Sequence, residues 1–249
     1  MASLIVTRPQ DQAEDLITAL QAAGHQVAHL PLMRIEAVTK DSHEARLART
    51  AFMDLDIYQH VIAISANAAR EGLEWLDEFW PQPPIGIHWY GVGPASAEPL
   101  RQYGFSAQCP ASRYDSEGLL ALPDLQQVAE QRILIWRGVG GRETLASELR
   151  ARGARVEYAE LYQRLQQVYS PADWQEVLTP ASWLLLSSGQ ALEIVLAQVA
   201  DLPARLAGII LPSERVAESA RQLGFQQVLV PASARDEDMI ACLQQAGIG

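Results

Sequence analysis

Ala97-Glu98-Pro99-Leu100-Arg101-Gln102-Tyr103-Gly104-Phe105 recurs 120 positions later as Ala217-Glu218-Ser219-Ala220-Arg221-Gln222-Leu223-Gly224-Phe225. Both copies run on to Pro-Ala-Ser, at Pro110–Ser112 and Pro231–Ser233, after one inserted residue. Upstream, Ile62-Ala63-Ile64-Ser65 matches Leu184-Leu185-Leu186-Ser187 at a similar offset. A second pair aligns 129 positions apart: Leu4-Ile5-Val6-Thr7-Arg8, with Leu20, Gly24 and Val27, against Ile133-Leu134-Ile135-Trp136-Arg137, with Leu149, Gly153 and Val156. The chain therefore reads as two kinds of unit in the order X, Y, X, Y. Two similar domains follow, each one X plus one Y. The repeat alone leaves the pairing of the units open. Both X units end in similar extended segments, Leu32–Val38 and Leu161–Val168. Paired as an antiparallel ribbon, these favour a crossed arrangement, first X with last Y.

Within each unit the rhythm is a short apolar run, a turn, then an amphipathic stretch. The runs Leu4–Thr7, Val27–Leu30, Val61–Ser65, His88–Val92, Arg132–Trp136, Val156–Ala159, Trp183–Ser187, Gly208–Leu211 and Gln227–Val230 suit strands covered on both faces. Helices are expected at Gln10–Ala23, Ala66–Phe79, Pro94–Tyr103, Gly141–Arg152, Gly189–Ala200, Glu214–Leu223 and Asp236–Ala246. Gly24, Gly104, Gly153 and Gly224 stand where a glycine ends a helix. Strands alternating with helices mean an α/β class with mostly parallel sheets.

The 249 residues hold 19 Lys+Arg against 30 Asp+Glu, a net charge of −11, with 49% hydrophobic residues. That composition belongs to a folded globular protein rather than a disordered one. Its acidity argues against a nucleic-acid footprint but not against an anionic small molecule held by a few local arginines. Cys109 and Cys242 carry no CxxC spacing, so neither a disulfide framework nor a zinc cluster is expected. The five histidines form no HExxH or other close ligand set. The opening residues lack a basic, apolar leader pattern, and no apolar run reaches the ~18 residues of a membrane span. A cytoplasmic protein without membrane contact is the expectation.

The chemistry-bearing residues gather at strand ends. Ser65, Ser187 with Ser188, and Ser213 lie where strands hand over to helices, the edge at which open α/β sheets bind ligands. N-capping explains them equally well. No GxSxG elbow surrounds them, which disfavours a hydrolase triad. Gly91-Val92-Gly93-Pro94-Ala95-Ser96 and Gly138-Val139-Gly140-Gly141 are glycine-rich strand-to-helix turns whose N–H groups suit an anion. As nicotinamide fingerprints both are incomplete. Arg8 and Arg137 occupy equivalent places in the X units, and Arg142 and Arg215 stand at helix starts, where a cation opposes the helix dipole. A carboxylate ligand accounts for them, as does an ordinary salt bridge. Tyr162 sits in the second extended segment, and a phenol is a feasible general acid.

Together these residues resemble the uroporphyrinogen-III synthase family. Leu4-Ile5-Val6-Thr7-Arg8-Pro9 is similar to its first strand and "TRP" turn, and Gly91-Val92-Gly93-Pro94-Ala95-Ser96-Ala97 to its "VGxxTA" segment, with Ser96 for Thr. Ile133-Leu134-Ile135-Trp136-Arg137-Gly138 followed by Gly141-Arg142-Glu143 resembles "vLxxRGxxGRE". Leu161-Tyr162-Gln163-Arg164 resembles the "vYxR/T" crossover, and Leu185-Leu186-Ser187-Ser188 the "FTS" turn. Where many relatives carry a Gly-x-Thr-Ala turn, this chain has Pro212-Ser213-Glu214-Arg215-Val216-Ala217. The resemblance implies two α/β domains joined by a two-stranded antiparallel linker, residues 1–36 plus 167–249 and residues 37–166. It implies a lyase of haem biosynthesis that needs no metal or organic cofactor. Such an enzyme converts hydroxymethylbilane, a linear tetrapyrrole polycarboxylate, into uroporphyrinogen III, inverting ring D through a spiro intermediate and losing water. Tyr162 is then the expected acid. Arg8, Ser65, Ser96, Arg137, Gly138, Arg142, Ser187, Ser188, Ser213 and Arg215 are the expected substrate ligands. A monomer, in transient contact with hydroxymethylbilane synthase, completes the picture. A two-domain binding protein without chemistry is the alternative, and a nucleotide-dependent enzyme is disfavoured by the missing phosphate loop.

Overall fold

Residues 2–233 and 235–248 are described by the structure, a computed structural model. Its strands are β1 (Ser3–Val6), β2 (Gln26–His29), β3 (Met33–Ala37), β4 (His60–Ala63), β5 (His88–Gly91), β6 (Arg132–Gly138), β7 (Arg155–Gln166), β8 (Ser182–Leu185), β9 (Gly208–Ile210) and β10 (Val228–Leu229). Its helices are α1 (Glu14–Ala22), α2 (His43–Met53), α3 (Ala66–Phe79), α4 (Pro94–Tyr103), α5 (Ser116–Leu120), α6 (Thr144–Ala151), α7 (Pro171–Val177), α8 (Gly189–Gln198), α9 (Leu202–Arg205), α10 (Glu214–Gln222) and α11 (Asp236–Gln245). The chain divides into two compact units, Met1–Arg34 with Leu165–Gly249, and Ile35–Arg164.

In the first unit the strand order is β10-β9-β8-β1-β2, with every pair parallel. Ile5 lies level with Ala28 on one side and Leu184 on the other. Successive side chains of a strand point to opposite faces. Leu4 and Val6 accordingly join Leu185, Ile210 and Met239 in one apolar cluster, while Ile5 joins Leu184, Ile209 and Val195 in another. Both faces of the sheet are thus buried, which is why its strands read as continuous apolar runs.

The second unit repeats the plan. Its order is β3-β7-β6-β4-β5, with β7, β6, β4 and β5 parallel. Val61, Ala63, Leu134 and Trp136 face one cluster; Ile62, Ile133 and Ile135 face the other. Trp136 lies directly on Gly72 of α3, where a Cβ would collide with the indole. Tyr90 bridges in parallel to Gln108, in the place that β10 takes beside β9. First X and last Y share one sheet, as do first Y and second X.

The two repeats end their helices alike. Gly24, Gly104, Gly153 and Gly224 all have positive φ, and Gly104, at +113°, gives α4 its left-handed cap. Several stretches differ from the sequence expectation. Helix α6 starts at Thr144 rather than Gly141, because Gly140 and Gly141 take φ of +72° and +109°, outside any right-handed helix. Strand β7 runs unbroken from Arg155 to Gln166, merging two expected segments. Helices α2 and α7 interrupt stretches read as connections. No helix of the described residues is long and apolar enough to cross a membrane.

Candidate functional site

The site of the second unit begins with an irregularity. Strand β6 pairs with β7 in step as far as Arg137 opposite Glu160, then Gly138 faces Tyr162, so Leu161 is skipped. A bulge of this kind re-aims the next side chain. The Tyr162 ring comes to lie against Gly138, where an added Cβ would sit 2.7 Å from ring carbons. Val139 N–H donates to the Tyr162 carbonyl at 2.7 Å and holds the two strands together beyond the bulge.

Ser65, the N-cap of α3, meets the phenol. Its Oγ accepts from Ala68 N–H at 3.0 Å and lies 3.0 Å from the Tyr162 hydroxyl. Capping and site chemistry therefore share one hydroxyl. With its lone pair on the helix N–H, Ser65 is free to donate its own proton to the phenol oxygen. The positive end of α3 stands behind that donor and favours any negative charge the phenol oxygen develops.

A hollow of about 580 Å³ opens over this pair at the C-terminal ends of β4 and β6. Tyr162, Arg164, the Gly138–Arg142 loop, Tyr158 and Arg113 wall it. The loop is shaped from below by Arg137, only 2% exposed. Its guanidinium donates to the carbonyls of Gly138 and Gly140, pairs with Glu143 at 2.9 Å and lies 4.4 Å above the Tyr158 ring. Gly140 N–H in turn donates to Glu160 at 3.0 Å, and Glu160 lies 3.6 Å from Arg137. The Tyr158 hydroxyl donates to Glu143. This bond, then the Arg137 charge, hold the Glu143 carboxyl below its ordinary pKa. Burial, then the same bond, push the Tyr158 phenol up.

The expected ligands divide accordingly. Arg137 is a loop-former here, since two carbonyls and the carboxylates of Glu143 and Glu160 already engage its guanidinium. Arg142 is exposed on the hollow wall and has no ion pair among the described residues. Gly138 stands at the hollow with Tyr162, and Ser65 lies behind them, bonded to the Tyr162 hydroxyl. Ser96 is buried in the first turn of α4, away from the hollow's lining.

The remaining expected residues lie at strand ends of the first unit. Ser188, not Ser187, caps α8, accepting from Ala191 N–H at 3.1 Å. The turn after β8 is one residue longer than the turn after β4, so the aligned serines are not structurally equivalent. Ser187 is half-buried, and its hydroxyl bonds to nothing among the described residues. Ser213 begins α10 without a side-chain cap bond, and Arg215 is exposed in that helix's first turn. Arg8 pairs with Asp236, and its carbonyl accepts from His29.

Tyr158, Glu143, Glu160 and Arg113 escaped the sequence reading. Glu143 carried a usable signal, an acidic residue shortly after a strand-end arginine; Glu160 and Tyr158 carried none, since the neighbouring strand β7 supplies them. Arg113 carried none, because it reaches the hollow from the connection between α4 and α5. Among the described residues no three His, Cys, Asp or Glu side chains come together as a metal site.

Comparison with known proteins gives one consistent answer. Residues 14–241 match the family described as uroporphyrinogen-III synthase HemD. The uroporphyrinogen-III synthase of Salmonella typhimurium is 33% identical, over 97% of this chain and all of that one. That of Escherichia coli is 32% identical over the same shares. Among solved structures, uroporphyrinogen-III synthetase from Helicobacter pylori superposes with a TM-score of 0.61 at 14% identity, covering 99% of this chain and 98% of that one. A mutant uroporphyrinogen III synthase from the extremely thermophilic bacterium Thermus thermophilus gives 0.58 at 16%, covering 98% of each. At those identities the structures speak for the fold.

Proposed function

The chain belongs to the uroporphyrinogen-III synthase family, and from that premise we propose that Tyr162 starts the cyclisation of hydroxymethylbilane to uroporphyrinogen III. The observation that carries this reading is the Tyr162 hydroxyl bonded to the Ser65 cap at the hollow wall.

The steps ask little of the protein beyond placement. Tyr162 gives its proton to the hydroxyl oxygen of the substrate's hydroxymethyl group. The C–O bond breaks, water leaves, and the pyrrole nitrogen lone pair fills the carbon, forming an azafulvenium cation that keeps its N–H and carries its positive charge through the spiro stage. Ser65 O–H and the α3 N-terminus stabilise the phenolate that remains. The substituted α-carbon of ring D attacks the azafulvenium carbon and forms a spiro ring. Cleavage of the older bond to ring D and reclosure at its other α-carbon invert the ring. The closing carbon then loses its proton, which returns to the phenolate. Holding the chain in this geometry accounts for most of the acceleration and suppresses direct closure.

On this reading the enzyme is a lyase that needs no cofactor. Arg142 and the Gly138 loop take substrate carboxylates, with Ser187, Ser188, Ser213 and Arg215 as further ligands; Arg8, Arg137 and Ser96 support the turns around them. The functional domains are residues 1–36 plus 167–249 and residues 37–166. Hydrogen bonds from Val38 N–H to Leu161 and from Gln167 N–H to Leu32 support an antiparallel two-stranded linker between them. A cytoplasmic monomer that meets hydroxymethylbilane synthase transiently fits this account. Porphobilinogen and its deaminase, run with and without this chain, test it. Type III uroporphyrin that depends on the chain is the expected product; type I at the spontaneous level sinks the proposal.

A further inference from the structure

Four arginines face the hollow, and the ion pairs sort them. Arg137 is buried and engaged. Arg113 is held by Asp115 at 2.7 Å and Glu117 at 3.4 Å. Arg142 and Arg164 line the hollow with no carboxylate partner among the described residues. Arg164 is exposed near the end of β7, and its guanidinium carbon stands 6.0 Å from the centroid of the Tyr162 ring.

A guanidinium with no carboxylate partner among the described residues, in a chain of net charge −11, beside the proposed acid and on the wall of a hollow, has a specific use. We infer that Arg164 binds a carboxylate on the same pyrrole whose hydroxyl Tyr162 protonates, and so sets which face of that ring meets the acid. The inference rests on the reading of Tyr162 above and adds a residue to it. Its basis is reach. An acetate or propionate arm places a carboxylate a few ångströms from its ring, and the planar guanidinium fork takes carboxylates in two parallel bonds. Such a contact fixes orientation as well as affinity. Tyr162 lies two residues back along the same strand and so on the same face of it. Side chains that share a rigid strand keep their spacing through turnover, which suits a residue that orients the reacting ring.

The test compares Arg164→Gln and Arg164→Lys with the unmodified chain in two independent measurements. In the first, hydroxymethylbilane is generated in situ; KM, kcat and the ratio of type III to type I product are read at low and high salt. For Arg164→Gln we expect KM to rise about ten- to hundredfold, the range for one charge-assisted hydrogen bond. We also expect a larger type I fraction and a weaker salt dependence of KM. Arg164→Lys restores most of KM, because charge remains, but less of the isomer ratio, because the fork is lost. In the second, uroporphyrin III is titrated into each protein by calorimetry, which needs no turnover. Weaker binding to Arg164→Gln supports the inference even if the chain makes no type III product, a result that would count against the Tyr162 reading instead. Equal binding, or a KM within twofold of the unmodified chain with the same salt dependence, overturns it. A fall in kcat alone overturns it too, since that assigns Arg164 a role in the chemistry rather than in binding.

Discussion

At the scale of single residues, the Tyr162–Gly138 contact joins fold and chemistry most tightly. Tyr162→Phe keeps the ring against Gly138 and removes only the hydroxyl. The initial rate of type III formation should fall about a hundredfold, the lower range for a general acid, with an unchanged melting temperature. Gly138→Ala has the opposite character. Its methyl meets the Tyr162 ring at 2.7 Å, so either the ring or the bulge must move. Overpacking of this kind costs about 1–3 kcal/mol, readable as a lower urea midpoint, and displaces the acid, so rate falls as well. A third residue makes stability depend on pH. His60 is buried at the start of β4, with its ring nitrogens against Tyr90 at 3.2 Å and Gln131, and stacks on His88 at 5.3 Å. Burial holds its pKa below the ordinary value; the Gln131 bond opposes that shift and the His88 charge adds to it. The unfolded chain therefore binds the proton more readily. Stability should be lost as pH falls through about 6.5, and His60→Gln should flatten that slope. Urea midpoints at pH 7.5 and pH 5.5 check it.

At the scale of elements, caps and serines separate cleanly. Ser188→Ala should cost about 1 kcal/mol by removing the α8 cap. Ser187→Ala should stay within about 0.5 kcal/mol, since its hydroxyl holds nothing in the fold, and any loss should appear in activity instead. Denaturation curves and the isomer assay on both variants distinguish the two. The sequence repeat aligned Ser187 with Ser65 because it was blind to the extra turn residue, which only the backbone reveals. Strands with two buried faces were legible as apolar runs, and α3 and α4 stand where their caps and periodicity put them. Helix α2 was not, because small Ala45, Ala48 and Ala51 make up most of its buried face and Phe52 alone adds a large apolar side chain to it. Helix α7 was readable in principle from Ser170, Pro171 and Asp173, a capping box around a proline start, but it is short. In the site, Tyr162 and the glycine loop were visible through resemblance. The Arg137 network was legible only at Glu143, close by in the chain; Glu160 and Tyr158 reach it because β7 lies beside β6.

At the scale of the whole molecule, the two units differ in how the chain makes them. The second is continuous, residues 35–164, while the first is assembled from both ends of the sequence. Each has apolar clusters on both faces of its own sheet. An isolated 35–164 fragment should therefore fold, with cooperative thermal unfolding by circular dichroism. Residues 165–249 alone should not, because β1 and β2, which complete the sheet beyond β8, are missing. That interrupted sheet has a consequence for birth on the ribosome. Strand β1 emerges well before its neighbour β8, which is translated only after the entire second unit. At about 5–20 residues per second, the nascent parallel unit of strand, helix and strand waits on the order of ten seconds with one edge of β1 unpaired. During that interval Leu4, Ile5 and Val6 are naked apolar surface. The early chain is thus a natural client for chaperones that shelter polypeptides at the tunnel exit, and slow codons inside the second unit would lengthen its exposure.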